Sequence, residues 1–226
     1  MRAAWIALLL AGCGSRGGGE ARRGCAPEAV RQGEATFYDA DGSGACSFAR
    51  GGDLLVAAAA PAEYAGGAAC GACAQVQGPD GELTVRIVDS CPGCAPGQLD
   101  LSSTAFARIA EPKRGRVPIT WRYVPCEVSG PIDYRFKEGS NPFWTALQVR
   151  NHRHRIALLL ARPDRGDWRI LPRRSYNFFV DEAGLGAGPV DLAVIDVHGH
   201  MILDFDIPPG AAADRAGAAQ LAECTP

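Results

Sequence analysis

The chain lacks an excess of charge of either sign: 23 Lys and Arg stand against 25 Asp and Glu, a formal net charge of −2. Proteins that hold nucleic acid neutralise phosphates with a clear basic surplus, so this balance argues against that class. Long apolar runs are missing too. Residues 3–11 and 156–161 are apolar throughout, but both fall far below the roughly 20 residues that a membrane-spanning helix needs. Glycine occurs 28 times without a Gly-x-y period, which excludes a collagen-like rod. Low hydrophobicity is absent as well: 47% hydrophobic against 21% charged residues describes a folded chain. At 226 residues the chain makes one large domain or two small ones. What it has in plenty is cysteine, nine residues.

Arg2 is followed by the apolar stretch 3–11 and then Gly12 and Cys13. A positive start, a short apolar core and small residues at a cleavage point describe an export signal. Leu10-Ala11-Gly12-Cys13 resembles the lipobox of bacterial lipoproteins. That resemblance implies cleavage before Cys13 and lipidation of its thiol, hence an exported chain held in the bacterial envelope or at the cell surface by lipid alone. A plain secretory signal and a secreted product is the alternative. Residues 14–20 are rich in Gly and polar residues and read as a flexible tether, so 1–24 is signal and tether.

Without Cys13, eight Cys remain, at 25, 46, 70, 73, 91, 94, 126 and 224. An even number in an exported chain implies disulfides. Cys70-x-x-Cys73, 17 residues and Cys91-x-x-Cys94 also fit a zinc-ribbon spacing. Export and the further Cys close by favour disulfides, and no metal is expected.

Residues 25–127 hold 8 Lys/Arg and 12 Asp/Glu, whereas 131–207 hold 10 of each. Ser129-Gly130-Pro131 is a turn-rich joint between them. The first part reads as strands at 33–38, 54–60, 75–77, 83–89 and 117–124, with one helix at 103–110 capped by Ser102. Short strands, turns and one short helix predict a small barrel over 25–127. The second part reads as strands at 146–150, 155–161, 168–170, 177–180, 191–196 and 201–207, a β-sandwich over 131–207. The tail, 208–226, is rich in Ala, Gly and Pro and is expected to be loose except where Cys224 finds a partner.

Two carboxylates stand out. Asp89 ends a β-branched stretch; Asp100 follows a Pro/Gly loop and precedes the Ser102 cap. Both can face a groove at strand ends. A lone turn Asp more often accepts bonds from local N–H groups, but two in a Cys-stapled loop point to a site.

The surrounding residues carry a resemblance. Gly33-Glu34-Ala35-Thr36-Phe37-Tyr38, Val88-Asp89-Ser90-Cys91-Pro92-Gly93-Cys94, Gln98-Leu99-Asp100-Leu101-Ser102 and Ile119-Thr120-Trp121 together resemble the six-stranded double-psi β-barrel of the expansins. Tyr134-Arg135-Phe136-Lys137-Glu138-Gly139-Ser140, Phe143-Trp144-x3-Gln148-Val149-Arg150-Asn151-His152 and Tyr176-Asn177-x-Phe179-Val180 are similar to the expansin C-terminal module, an immunoglobulin-like β-sandwich of carbohydrate-binding family 63. The resemblance runs in order through both domains, from about residue 33 to 207. It implies a mainly β fold and a barrel that grips a glucan chain through Thr36, Asp89 and Asp100. It also implies a second domain that docks on cellulose or another plant or bacterial wall polysaccharide. Expansins share their barrel with family-45 glycoside hydrolases and keep the acid, here Asp100, but lack the base. The implied action is loosening of noncovalent polymer contacts without hydrolysis, by a monomer that needs no cofactor. A hydrolase or lytic transglycosylase on the same barrel, and a pure carbohydrate-binding protein, are the alternatives.

Asp39 bears on that choice. It lies three residues after Thr36, whereas the hydrolase base lies four after the matching Thr. One residue of offset in a strand turns a side chain to the other face, so Asp39 is expected to belong to a plain turn. Only a bulge would re-aim it into an acid–base pair with Asp100. The helix start after Asp100 favours a charged carboxylate, which suits accepting hydrogen bonds from sugar better than donating a proton.

The resemblance also implies Cys46–Cys70 and Cys73–Cys126 as disulfides, leaving Cys91–Cys94 as a local clip and Cys25–Cys224 as a terminal tie. Phe143, Trp144 and Tyr176 match the family's flat aromatic platform, and Lys137 aligns with a residue flanking it. Alternation through 143–149 puts Phe143, Thr145, Leu147 and Val149 on the apolar inner face and Trp144, Ala146 and Gln148 outside. Trp144 is therefore expected to be exposed and Phe143 buried, unless Phe143 sits in the Asn141-Pro142 turn. All four His fall in the second domain, as His152-x-His154 and His198-Gly199-His200. They read as turn and strand-surface residues rather than ligands.

Overall fold

The computed structural model describes residues 25–210, 212 and 214–224. The expected signal and tether, with the Cys13 lipidation site, lie outside the described residues. No helix among the described residues is long and apolar enough to cross a membrane.

Six strands close into a barrel: β1 (Arg31–Tyr38), β2 (Val56–Ala59), β3 (Cys73–Gln77), β4 (Glu82–Ser90), β5 (Leu99–Ser102) and β6 (Val117–Val124). Their order is β1-β5-β2-β4-β3-β6, with β1–β5 and β2–β4 parallel and the other neighbours antiparallel. Alternation explains the closure. In β6, Val117, Ile119, Trp121 and Tyr123 point inward and Pro118, Thr120 and Arg122 outward. Trp121, Phe106, Ile87, Leu99, Leu101 and Ile109 fill the centre, each fully buried. Each such side chain contributes about 1.5–3 kcal/mol relative to exposure. Between strands lie α1 (Pro61–Tyr64) and α2 (Ser103–Ile109). Ser102 caps α2 as expected, its side chain accepting from the Ala105 N–H at 3.0 Å.

The second half is a sandwich of two four-stranded antiparallel sheets. β7 (Asp133–Phe136), β8 (Thr145–Arg150), β11 (Phe179–Asp181) and β14 (Asp214–Ala216) form one, in the order β11-β8-β7-β14. β9 (Ile156–Pro163), β10 (Arg169–Ile170), β12 (Val190–Asp196) and β13 (Met201–Ile207) form the other, in the order β10-β9-β12-β13. Tyr134, Phe136, Leu147, Leu159 and Leu192 meet between them.

Two expectations are corrected here. The tail is not loose. β14 pairs with β7, Leu221 is buried in the sandwich core, and the Asp204 carboxylate binds the Ala218 N–H at 2.7 Å. The Ala- and Gly-rich composition hid a strand that β7 supplies with partners. The histidines of the 152–154 pair are not surface residues. His152 and His154 are each 4% exposed. His152 lies against Gly71, where a Cβ would stand 2.6 Å from its Nε2, and burial pushes its imidazole down to about 4. Gly71 is required both by that contact and by its φ of +76°.

Four disulfides join Cys46–Cys70 and Cys73–Cys126, the pairs that the resemblance implied, and Cys91–Cys94 and Cys25–Cys224, the pairs that it left. The two domains meet through specific bonds. Gln148 Nε2 and Asn177 Nδ2 both donate to the Cys46 carbonyl, at 2.9 and 3.3 Å. Tyr64 donates its hydroxyl to the Ser175 carbonyl at 2.5 Å, and the Cys126 N–H bonds the Arg153 carbonyl at 2.8 Å. The 129–131 joint is held by Asn151, whose Nδ2 donates to the Ser129 and Pro131 carbonyls at 2.8 and 2.7 Å.

Candidate functional site

The sequence reading placed Asp100 in a loop, but it lies inside β5. Leu99 and Leu101 are fully buried on either side of it, so Asp100 faces outward. The strand escaped notice because it is four residues long between a Pro/Gly loop and a helix cap. Its register sets the site. Asp100 stands opposite Thr36 of β1 and Ala58 of β2, and Ala58 in turn stands opposite Asp89 of β4. Thr36, Asp100, Ala58 and Asp89 thus form a row across four adjacent strands, on one face. A register shift in the β2–β4 pairing between Ala57 and Ala58 puts Asp89, rather than Val88, opposite Ala58. Two strand spacings separate the two carboxylates, roughly 10 Å between Cα atoms.

The hydrogen bonds in this row have a direction. Gln98, nearly buried, accepts from the Ala95 N–H with Oε1 at 3.2 Å. That turns its Nε2 onto Thr36 Oγ1 at 3.3 Å. Thr36 then donates to Asp100 Oδ1 at 2.5 Å. Asp100 is therefore an acceptor in this arrangement.

Asp89 serves another purpose. Its Oδ1 accepts from the Ala45 N–H at 2.6 Å and the Ser90 N–H at 2.8 Å. It anchors the loop before Cys46, where Gly44 leaves room because a Cβ would stand 2.5 Å from the Asp89 side chain. That loop carries the Cys46 carbonyl bound by Gln148 and Asn177, so Asp89 links the barrel row to the second domain.

Asp39 is exposed one residue past the end of β1, away from the Thr36 face. Its neighbour Asp41 closes a turn, accepting from the Ser43 N–H and hydroxyl at 3.0 and 2.5 Å and pairing with Arg50. The carboxylate that accompanies Asp100 is Asp89.

Tyr38 was missed. It follows Thr36 by two residues in β1 and shares its face, which is the signal that was available. Its hydroxyl is buried without a hydrogen-bond partner. Burial, with the charges of Asp89, Asp100 and Asp41, pushes it up to about 12, so it keeps its proton. Thr36, Tyr38, Asp89 and Asp100 are all half-exposed, an open site rather than a closed pocket.

In the sandwich, Trp144 lies with Ala146 on the expected outer side of the sheet but is not fully exposed there, and Phe143 sits in the Asn141-Pro142 turn, the case in which it was not expected to be buried. Phe143 is 81% exposed, while Trp144 is half-buried against Ala146, Phe178 and Val180. The strand begins only at Thr145; Phe143 precedes it in a turn that Asn141 holds by accepting from the Phe143 N–H at 2.9 Å. Gln148 does point away from the sandwich core, but the barrel covers it completely. Tyr176 is 37% exposed, its ring 5.9 Å from that of Phe178. Lys137 places its Nζ 5.7 Å from the Phe178 ring centroid. Phe178, unnoticed in the sequence, is the floor that Trp144, Tyr176 and Lys137 share.

A double-psi barrel with an open Thr–Asp row, joined to a β-sandwich that displays an aromatic strip, defines a class of two-domain, mainly β proteins. Residues 56–121 match the family model described as "Lytic transglycolase". The chain is 37% identical over 156 residues to Expansin-YoaJ of Bacillus subtilis (strain 168), covering 67% of this chain and 66% of that protein. It is 34% identical over 181 residues to Expansin-like protein 2 of Dictyostelium discoideum, covering 74% of this chain and 44% of the other. The crystal structure of a Clavibacter michiganensis expansin superposes with a TM-score of 0.79 at 30% identity, covering 85% of this chain and 98% of that one. A mutant of that expansin in complex with cellohexaose superposes equally well. The chain belongs to the expansin family.

Proposed function

We propose that this chain binds cellulose or a related wall polysaccharide and loosens noncovalent contacts between polymer chains without cutting them. It acts outside the cytoplasm, by export and, through Cys13, by a lipid anchor. The observation that carries this reading is the directed chain Gln98–Thr36–Asp100, which makes Asp100 an acceptor for sugar hydroxyls. The Tyr38 hydroxyl beneath the row keeps its proton but is buried, so the groups that the row offers to sugar are Thr36 and the carboxylates. The open row suits a polymer passing over the barrel. Export is supported by the disulfides, which persist in oxidising surroundings. The cellohexaose complex of the Clavibacter relative supports a β-glucan as ligand.

The test is a paired measurement on the wild-type protein. Cellulose paper should weaken mechanically while no reducing ends reach the supernatant. Binding to insoluble cellulose, xyloglucan and peptidoglycan, compared by pull-down, identifies the preferred polymer.

A second reading rests on the match of residues 56–121 to a lytic-transglycosylase model and on the spacing of Asp89 and Asp100. Inverting glycosidases hold their carboxyl groups about 6.5–9.5 Å apart. Against it, two backbone N–H groups bind Asp89 Oδ1 and give this carboxylate a loop to anchor, and they favour the ionised form without supplying a path for a proton. Muropeptides released from sacculi, or sugar from cellulose, would establish this reading.

The exposed turn makes Phe143 the cleaner probe of the platform. Phe143→Ala should weaken cellulose binding by about 1–2 kcal/mol, roughly tenfold, with an unchanged melting temperature. Trp144→Ala should lower both, because much of that ring packs on Ala146, Phe178 and Val180. Binding titration and calorimetry on the two variants check the contrast; equal melting temperatures would place Trp144 outside the packed cluster.

A further inference from the structure

Three of the four histidines converge far from the barrel row. His154 follows β8, and His198 and His200 sit on the β12–β13 turn, 44 and 46 residues later in the chain. Their ring centroids are 4.9 Å apart for His154 and His198, 5.6 Å for His154 and His200, and 6.0 Å for His198 and His200. An ion held about 2.0–2.1 Å from three imidazole nitrogens places the ring centroids roughly 5–6 Å from one another. His154 and His200 present nitrogens within 4.8 Å of each other, whereas no nitrogen of His198 joins both of them without a turn of its ring.

A second feature is independent of that spacing. Asp196 is 2% exposed and accepts from His200 Nδ1 at 2.8 Å. Its other oxygen accepts from the His198 and His200 N–H groups, both at 2.8 Å. The turn is thus built around a buried carboxylate that fixes the His200 ring and leaves Nε2 as its free nitrogen. This is how carboxylates orient histidines that ligate metals. His154 Nε2 lies 2.9 Å from the Ala222 carbonyl and 3.6 Å from Cys224 Sγ, which leaves Nδ1 as its free nitrogen. A nitrogen of His154, one of His200 and the Cys25 sulfur lie within 4.8 Å of one another, as do a nitrogen of His198 and the sulfurs of Cys25 and Cys224. A cavity between the segment 25–28 and the turn reaches His154 and His198 and opens a path for a hydrated ion.

We propose that His154, His198 and His200 form a binding site for a divalent transition-metal ion of the class imidazole prefers, at the end of the sandwich beside the Cys25–Cys224 disulfide. The disulfide sulfurs are not thiolates and do not ligate. The half-exposed His198 completes the site by a side-chain rotation on its turn. The bound ion clamps the β12–β13 turn to the segment after β8 and to the two chain ends that the disulfide joins. The site is separate from polysaccharide binding and stands whether or not the proposed function does.

The test uses the oxidised, full chain and Zn²⁺ as the probe. Protein dialysed against Zn²⁺ and then against buffer should retain one ion per chain by elemental analysis, and Zn²⁺ should raise its melting temperature. His198→Ala and His200→Gln should each bind Zn²⁺ at least about tenfold more weakly. In EDTA, His198→Ala should melt with the wild type, and His200→Gln should melt cooperatively at a lower temperature because it disturbs the bond to buried Asp196; the Zn²⁺-induced rise, lost in both, reads the site. Asp196 is left intact because it caps the turn. Retention of no zinc by the wild type would overturn the proposal, and so would undiminished binding by both variants. Zinc bound only after reduction of Cys25–Cys224 would assign the site to thiolates and overturn the three-imidazole assignment.

Discussion

Replacing Asp100 with Asn is expected to abolish loosening of cellulose while leaving attachment to it intact. Asn keeps the shape of Asp and one acceptor oxygen, which can still receive the Thr36 hydroxyl. The Leu99 and Leu101 side chains that fix the strand are untouched, so the barrel should fold normally. What disappears is the charge. Hydrogen bonds from sugar hydroxyls to a carboxylate contribute about 1.5–3 kcal/mol each, roughly twice the neutral value. Losing that at the centre of the row should release the polymer strand from the barrel. Attachment survives because the Phe143, Trp144 and Tyr176 strip lies in the other domain. Asp39→Asn should change neither property, since that carboxylate is exposed past the end of β1. Paper extension under load and cellulose pull-down on the three proteins are the measurements. Soluble sugar from the wild type that vanishes in both Asp100→Asn and Asp89→Asn would identify an acid–base pair and make the protein a hydrolase.

Asp204→Ala should be among the most destabilising single changes in the sandwich, by about 3–5 kcal/mol. Asp204 is 2% exposed and accepts from the Tyr134 hydroxyl and the Ala218 N–H, both at 2.7 Å. Tyr134 is itself fully buried. Truncation would leave both donors without a partner and open a cavity, and an unmet buried donor costs more than its bond contributed. The effect should spread to the chain end, because the Ala218 bond holds the segment after β14 against the core. Urea unfolding gives the stability, and proteolysis of the 208–224 segment in the variant reports the local release. Adding Tyr134→Phe to Asp204→Ala should restore part of the loss by removing one orphaned donor. A double variant no more stable than the single one would place the cost elsewhere.

The elements that sequence periodicity revealed were those whose two faces meet different surroundings. β6 alternates strictly, and its bounds were readable from Val117 to Val124; β13 was equally legible from Met201 to Ile207. The Ser102 cap was readable because capping chemistry is local. β5 and β14 were not, since four residues between breakers and three residues in an Ala/Gly tail carry too little pattern. β8 misled for another reason. Thr145 to Val149 are buried on both faces, one by the sandwich core and the other by Phe178 and the barrel, so alternation alone could not locate where the strand starts.

The residue types of this sequence were sufficient to establish two β domains, a disulfide framework and the family that carries Thr36, Asp89 and Asp100. Those follow from local pattern and from motifs contiguous in the chain. How Asp89 comes into register with Asp100, which aromatic ring meets solvent and which histidines come together were decided by tertiary structure. Each depends on a relation between distant segments. A register shift between β2 and β4 puts Asp89 rather than Val88 in the row, a turn held by Asn141 lifts Phe143 out of the strand's alternation, and the fold brings residue 154 to the turn at 198–200. Register and inter-strand pairing are set by the packing of the whole barrel and sandwich, and a linear reading of side-chain types does not contain them.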